Sequence, residues 1–134
     1  MDTKTQINIP EVVAEVTEAF MRYERALCAN DLDIIDQLFW DHPSTLRYGP
    51  NGTLLGHAAI SKFRREREIK GIDRRLKNTF IITFGRDFAV ANTESERPGS
   101  DRVYRQSQTW VRLPQGWRIV SAHVSEVAPL AQNR

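Results

Sequence analysis

Apolar residues return along the first part of the chain at Val12, Val13, Val16, Ala19, Phe20, Tyr23, Ala26 and Leu27, the spacing of one face of a helix. Pro10 suits a first helical turn, and Asn30-Asp31 both closes this segment and offers a cap to the next, so a helix is expected over Pro10 to Ala29. A short second helix over Leu32 to Phe39 turns Leu32, Ile35, Leu38 and Phe39 inward. After the loop Asp41-His42-Pro43 the pattern changes to alternation. Thr45 to Tyr48 reads as a strand with Leu46 and Tyr48 on one face and Arg47 on the other, closed by the turn residues Gly49-Pro50-Asn51-Gly52. A third helix is expected over Gly56 to Ile69, with Ile60, Phe63 and Arg67 on its inner stripe.

Period-two segments fill the rest of the chain. Leu76, Asn78, Phe80, Ile82 and Phe84 alternate with their neighbours, Gly85-Arg86-Asp87 turns the chain, and further strands follow over Phe88 to Glu94, Val103 to Leu113 and Trp117 to Val127. Three helical segments ahead of a run of hairpin-linked strands define an α+β domain: a mostly antiparallel meander with helices on one side. Residues 1–134 are expected to form one domain, with tails at 1–8 and 128–134.

Composition removes several function classes. Nineteen basic and seventeen acidic residues leave a formal charge of +2, and the one basic cluster, Lys62 to Arg75, is interleaved with Glu66, Glu68 and Asp73. That pattern is expected of a solvated helix face, with a basic rim for an anionic small molecule as its alternative; nucleic acid is not an expected partner. Cys28 is the single cysteine, and no apolar run has the length of a signal peptide or membrane span, so a cytoplasmic protein with no membrane partner is expected. His42, His57 and His123 lack ligand spacing, and no glycine-rich phosphate loop is present. Neither a metal nor a cofactor is expected.

Candidate chemistry gathers in the last hairpin. With its tip at Pro114-Gln115, the expected cross-strand partners are Trp110 with Ile119, Gln108 with Ser121, Gln106 with His123, and Tyr104 with Ser125. Gln106, Gln108, His123 and Ser125 would then form a block of hydrogen-bonding groups beside the Trp110 wall, as in a small-molecule pocket. They are equally the solvent side of a half-exposed sheet. Tyr23 projects its hydroxyl from the apolar stripe of the first helix, and Arg47 points away from Leu46 and Tyr48; each also reads as an ordinary structural or surface side chain. Trp40 and Arg64 are candidates for pocket wall and rim.

The segments FMRYERAL (Phe20 to Leu27), LFW (Leu38 to Trp40), LRYG (Leu46 to Gly49), IITFGRD (Ile81 to Asp87), RQSQTWVR (Arg105 to Arg112) and GWRIVSAHVS (Gly116 to Ser125) together resemble the AtzH-like or HpxZ-like family of the nuclear-transport-factor-two-like superfamily, alongside SnoaL-like proteins. The resemblance implies a cone-shaped half-barrel, a curved sheet packed on three N-terminal helices, and a homodimer functionally linked to an amidase in the breakdown of nitrogen-rich compounds. For the AtzH-like branch it implies removal of a carboxyl group from a dicarboxyurea to give allophanate. It also implies a catalytic pair, a tyrosine in R-Y-E and an arginine in R-Y-G, at Tyr23 and Arg47. Gly52 to Gly56 departs from the family pattern, lacking the acidic residue and tyrosine expected there. The expected enzyme is metal-independent and acts on a small anionic nitrogen-rich substrate. A non-catalytic dimeric binding or assembly module is the alternative, and an isomerase-like acid-base enzyme would require an inward carboxylate.

Overall fold

The first helix, α1 (Pro10–Ala29), forms where the apolar stripe predicts it, with Pro10 in its opening turn and Val12, Val16, Phe20, Tyr23, Ala26 and Leu27 buried along one side. It stops because Asn30 adopts a left-handed conformation (φ 57°), returning its N–H to the carbonyls of Ala26 and Leu27. The Asp31 carboxylate then accepts from the Ile34 N–H and starts α2 (Leu32–Leu38). This computed structural model describes residues 4–68 and 71–128. Its remaining helix is α3 (His57–Glu66), and its strands are β1 (Leu46–Gly49), β2 (Gly52–Leu55), β3 (Arg75–Phe84), β4 (Phe88–Glu96), β5 (Val103–Leu113) and β6 (Gly116–Val127).

The six strands form one sheet in the order β2-β1-β6-β5-β4-β3, antiparallel throughout except where β1 runs parallel to β6. The three helices cover one face, giving the α+β layering expected of the sequence. Strand β2 was not expected: Pro50-Asn51 is a hairpin tip, and Gly52–Leu55 returns antiparallel along β1. The family departure between Gly52 and Gly56 therefore lies in an edge strand. Residues 6–8, assigned to the tail, also join the sheet. Asn8 exchanges hydrogen bonds with Thr83, and Ile7 bridges Phe84. The expected C-terminal tail, apart from Ala128, lies outside the described residues.

Two irregularities in the ladder decide which side chains face the helices. Asn78 has φ 53°, and the β3–β4 register slips between Lys77 and Phe80. Beyond it Ile81 and Thr83 turn inward, while Phe80, expected on the same face as Leu76, is 68% exposed. The second slip, at Thr109 and Trp110 of β5, inserts Val120 into β6. Trp110 pairs with Ile119 as expected, but beyond the bulge Gln108 faces Ala122, Ser107 faces His123 and Gln106 faces Val124.

Opposite the helices, β4 presents only Ala89, Ala91, Thr93 and Ser95, all buried. These small side chains leave room beneath α1 for bulkier groups arriving from α1 and α3. The core around them is Phe20, Ile35, Phe39, Ile60, Trp110 and Ile119, each at most 2% exposed.

Candidate functional site

Tyr23 sits on the buried stripe of α1, its ring edge-on to Phe39 with centroids 5.9 Å apart. Its hydroxyl meets Arg64, whose Nη2 donates to the phenol oxygen at 2.8 Å. Arg64 was expected at a rim; it is an interior residue, 3% exposed on the inner face of α3. A guanidinium can only donate, so the Tyr23 oxygen is the acceptor and its own O–H is directed elsewhere. The contact fixes the polarity of the phenol.

Arg47 turns to the helix-covered face of β1, as the alternation of Leu46 and Tyr48 requires, and packs over Phe63 with its guanidinium carbon 5.4 Å from the ring centroid. Gly49 makes room for it: a Cβ there would lie 2.7 Å from Arg47 Nη1. Burial, reinforced by the field of Arg64 and then Arg67 against an opposing contribution from Tyr23, pushes the Arg47 guanidinium down to about 10. It stays charged at neutral pH. Arg67 is lowered likewise, first by burial and then by Arg64.

Arg67 lies beyond the end of α3 rather than on its stripe. Its N–H closes the last turn onto the Phe63 carbonyl while its backbone is extended (φ −75°, ψ 152°), three residues short of the expected helix end at Ile69, which lies outside the described residues. Three guanidinium groups, from Arg47, Arg64 and Arg67, thus act on one another around Tyr23.

The buried carboxylate in this region is already engaged. Arg74 grips both oxygens of Glu24, its Nε donating to Oε2 at 2.8 Å, and reaches Gln106 Oε1 at 3.3 Å and Ser95 Oγ at 3.4 Å. Neither Glu24 nor Arg74 was singled out from the sequence; they lie fifty positions apart, and only the strap before β3 brings them together. The strap is held by the Ile72 N–H on the Cys28 carbonyl, where a Cβ on Gly71 would lie 2.8 Å from that oxygen. Burial and then Glu24 raise the Cys28 thiol, in keeping with an unreactive cysteine.

Unpartnered groups reveal what the cluster lacks. Of the six buried side-chain polar atoms without a partner among the described residues, four are donors of this region: Arg64 Nε, Arg67 Nε and Nη2, and Gln106 Nε2. A buried donor left unpaired is destabilising. Acceptor-rich, negatively charged matter is the chemical complement of such a set.

The other expected site residues divide. Gln106 and Gln108 face inward, but Gln108 Oε1 accepts from the Trp110 indole at 3.0 Å, and Trp110 is wholly buried core. His123 and Ser125 are corrected: the Val120 bulge turns both to the exposed outer face, where His123 packs against Tyr48 with ring centroids 5.5 Å apart. Trp40 stacks on His42, centroids 3.9 Å apart and 4° from parallel, in the connection from α2 to β1. Its described contacts do not join it to the arginine cluster. The sequence pattern had placed Arg67 on the inner side of the third helix without naming it a site residue, and it reaches the interior from just past the helix end instead; nothing in the pattern pointed to Arg74.

Helices packed on one face of a curved six-stranded sheet, with a polar cluster between them, define a nuclear transport factor 2-like, cystatin-like domain. The AtzH-like family profile matches residues 5–129, and the chain belongs to that family. It is similar to a protein of unknown function from Pectobacterium atrosepticum in the DUF3225 family, with 51% identity over 91% of this chain and 95% of the other, and a TM-score of 0.88. A cystatin-like fold protein from Burkholderia xenovorans shares 43% identity over 93% and 98% of the two chains, also with a TM-score of 0.88. A nuclear transport factor 2-like superfamily protein from Salmonella enterica shares 28% identity over 92% and 96%, with a TM-score of 0.71. No curated protein matches the chain. No described helix is long and apolar enough to cross a membrane.

Proposed function

We propose that this protein is a metal-independent enzyme that removes a carboxyl group from a small carboxylated urea, of the kind that takes 1,3-dicarboxyurea to allophanate. One observation carries the reading: a tyrosine hydroxyl, its oxygen taken by Arg64, stands beside guanidinium groups that have no carboxylate partner among the described residues. An N-carboxylated urea breaks its N–CO₂ bond once the nitrogen gains a proton, giving a neutral N–H and carbon dioxide. Arg47 holds the carboxylate through its planar fork, Tyr23 delivers the proton, and solvent restores it. Gln106, whose Oε1 is occupied by Arg74, offers its amide donors to the urea carbonyl.

Purified Tyr23→Phe and Arg47→Lys variants should keep their fold and lose turnover, the first by about 10²-fold or more for a missing general acid. Carbon dioxide release at the wild-type rate in both variants would refute the assignment.

A second reading, a dimeric binding or assembly module that accompanies an amidase, is supported by the outer sheet face, where Tyr48, Phe80, Phe84 and Phe88 are exposed. Binding of carboxyureas without release of carbon dioxide would favour it. The isomerase-like reading draws a little on a ketosteroid isomerase-like protein from Erwinia carotovora, but at 17% identity that likeness concerns the fold alone. The inward carboxylate it needs, Glu24, has both oxygens already engaged by Arg74.

A further inference from the structure

We propose that the buried Glu24–Arg74 ion pair is a positioning device, which fixes the Gln106 side-chain amide with its oxygen toward Arg74 and its Nε2 donor turned to a carbonyl oxygen of the bound molecule. The inference rests on the reading of Gln106 as a urea-binding donor and extends it to two residues that have no role in that reading.

The chain of contacts has a direction. Both Glu24 oxygens accept from Arg74, Oε2 from Nε at 2.8 Å and Oε1 from Nη2, and these two parallel hydrogen bonds set the plane of the guanidinium. The two side chains are 9% and 7% exposed, so little water competes for them. The backbone leading to Arg74 is pinned as well, because the Ile72 N–H donates to the Cys28 carbonyl at 3.1 Å and Gly71 passes that oxygen where a Cβ would not fit. From this fixed plane Nη2 also reaches Gln106 Oε1 at 3.3 Å, and Nη1 reaches Ser95 Oγ at 3.4 Å. An amide has nearly the same shape either way round, so its partners decide which end goes where. A guanidinium has only donors, and Gln106 must therefore present its oxygen to Arg74; the reversed amide would set N–H against N–H. Nε2 is thereby turned away from Arg74, and it is buried without a partner among the described residues. Holding the strap on α1 accounts for the Glu24 contacts. It leaves unexplained a buried amide that is aimed at one end and unpaired at the other.

The test is a double-mutant cycle on a ligand that cannot lose its carboxyl group, N-carbamoylglycine, a urea whose carboxylate sits on carbon. The full chain, isotopically labelled, is titrated and followed by NMR at the Gln106 side-chain amide, which is identified by its loss in Gln106→Met. In the wild type that amide should shift on titration. Arg74→Lys keeps a cation for Glu24 but lacks the planar fork, so it should release the amide toward the averaged resonance of free glutamine side chains and weaken binding about fivefold or more, the worth of one hydrogen bond. In the Gln106→Met background the same change should alter affinity by less than about twofold. Glu24→Gln combined with Arg74→Met removes both charges, leaves neither uncompensated, and should reproduce the loss if Arg74→Lys does not fold. An equal loss in both backgrounds would overturn the proposal, since the pair would then act on the fold and not through Gln106. So would a Gln106 amide that the ligand leaves unmoved in the wild type, or that Arg74→Lys leaves unmoved. Carbon dioxide release from carboxyureas is scored separately: a cycle that behaves as stated without release sinks the enzymatic reading and keeps the positioning role, and release with a failed cycle does the reverse.

Discussion

Replacing Arg47 by methionine should make the unliganded protein more stable and blind to anions. The Arg47 guanidinium is displaced to about 10, chiefly by burial and by Arg64. At about 1.4 kcal/mol for each tenfold change in proton affinity, that displacement opposes folding by about 3 kcal/mol, and residual solvent contact reduces it to about 1–2 kcal/mol. Methionine keeps a comparable apolar stem over Phe63 but loses a cation–π contact worth about 0.5–1 kcal/mol. The net gain is about 1 kcal/mol, or a melting temperature higher by about 2–6 °C for a domain of this size. Because the folded-state proton affinity of this base is lowered, the opposing contribution is fully present at every pH below about 10. It declines as pH rises through that value toward the free guanidinium range, since the unfolded chain then binds more protons. The gap between variant and wild type should therefore be flat from neutral pH to about 9 and narrow above 10. The assay is a pair of thermal melts in a buffer without carboxylate or phosphate, repeated with malonate. Wild type should gain about 2.7 kcal/mol at one hundred times the dissociation constant, and the variant should gain almost nothing. A variant melting several degrees below wild type without anion would refute the reasoning, because it would mean that Arg47 already has its partner within the fold.

Arg64→Met should cut turnover by about 10²-fold by freeing the Tyr23 hydroxyl to turn, with Arg64→Lys recovering part of it and shifting the pH profile of kcat, which a purely structural loss would leave in place. Glu24→Gln breaks a buried, bidentate ion pair and leaves Arg74 uncompensated, so chemical denaturation should register a loss of about 3–5 kcal/mol. His123→Ala should change kcat/KM by less than about twofold, because the side chain lies on the outer face against Tyr48; a large kinetic loss would place the reacting groups on the wrong side of the sheet.

Sequence alone determined the three helices, the long strands and the orientation of the two residues assigned to chemistry, though not the edge strand β2. A stripe repeating every three or four residues can bury only one side of α1, and Tyr23 lies on it; alternation in Leu46-Arg47-Tyr48 can send only Arg47 to the side opposite its neighbours. Those periodicities are local properties of the backbone and hold wherever no bulge interrupts them. Tertiary structure decided the partners. Val120 and Asn78 each shift a ladder by one residue, which reverses every side chain beyond them and removed His123 and Ser125 from the site while exposing Phe80. Nothing in the composition of β3 or β6 marks those positions, because a bulge answers to sheet curvature and to the strands on either side. The buried charges were equally hidden: the pairing of Glu24 with Arg74 and the company of Arg47, Arg64 and Arg67 depend on where a strap and a helix end settle against α1. An ion pair between residues fifty positions apart leaves no period in a sequence.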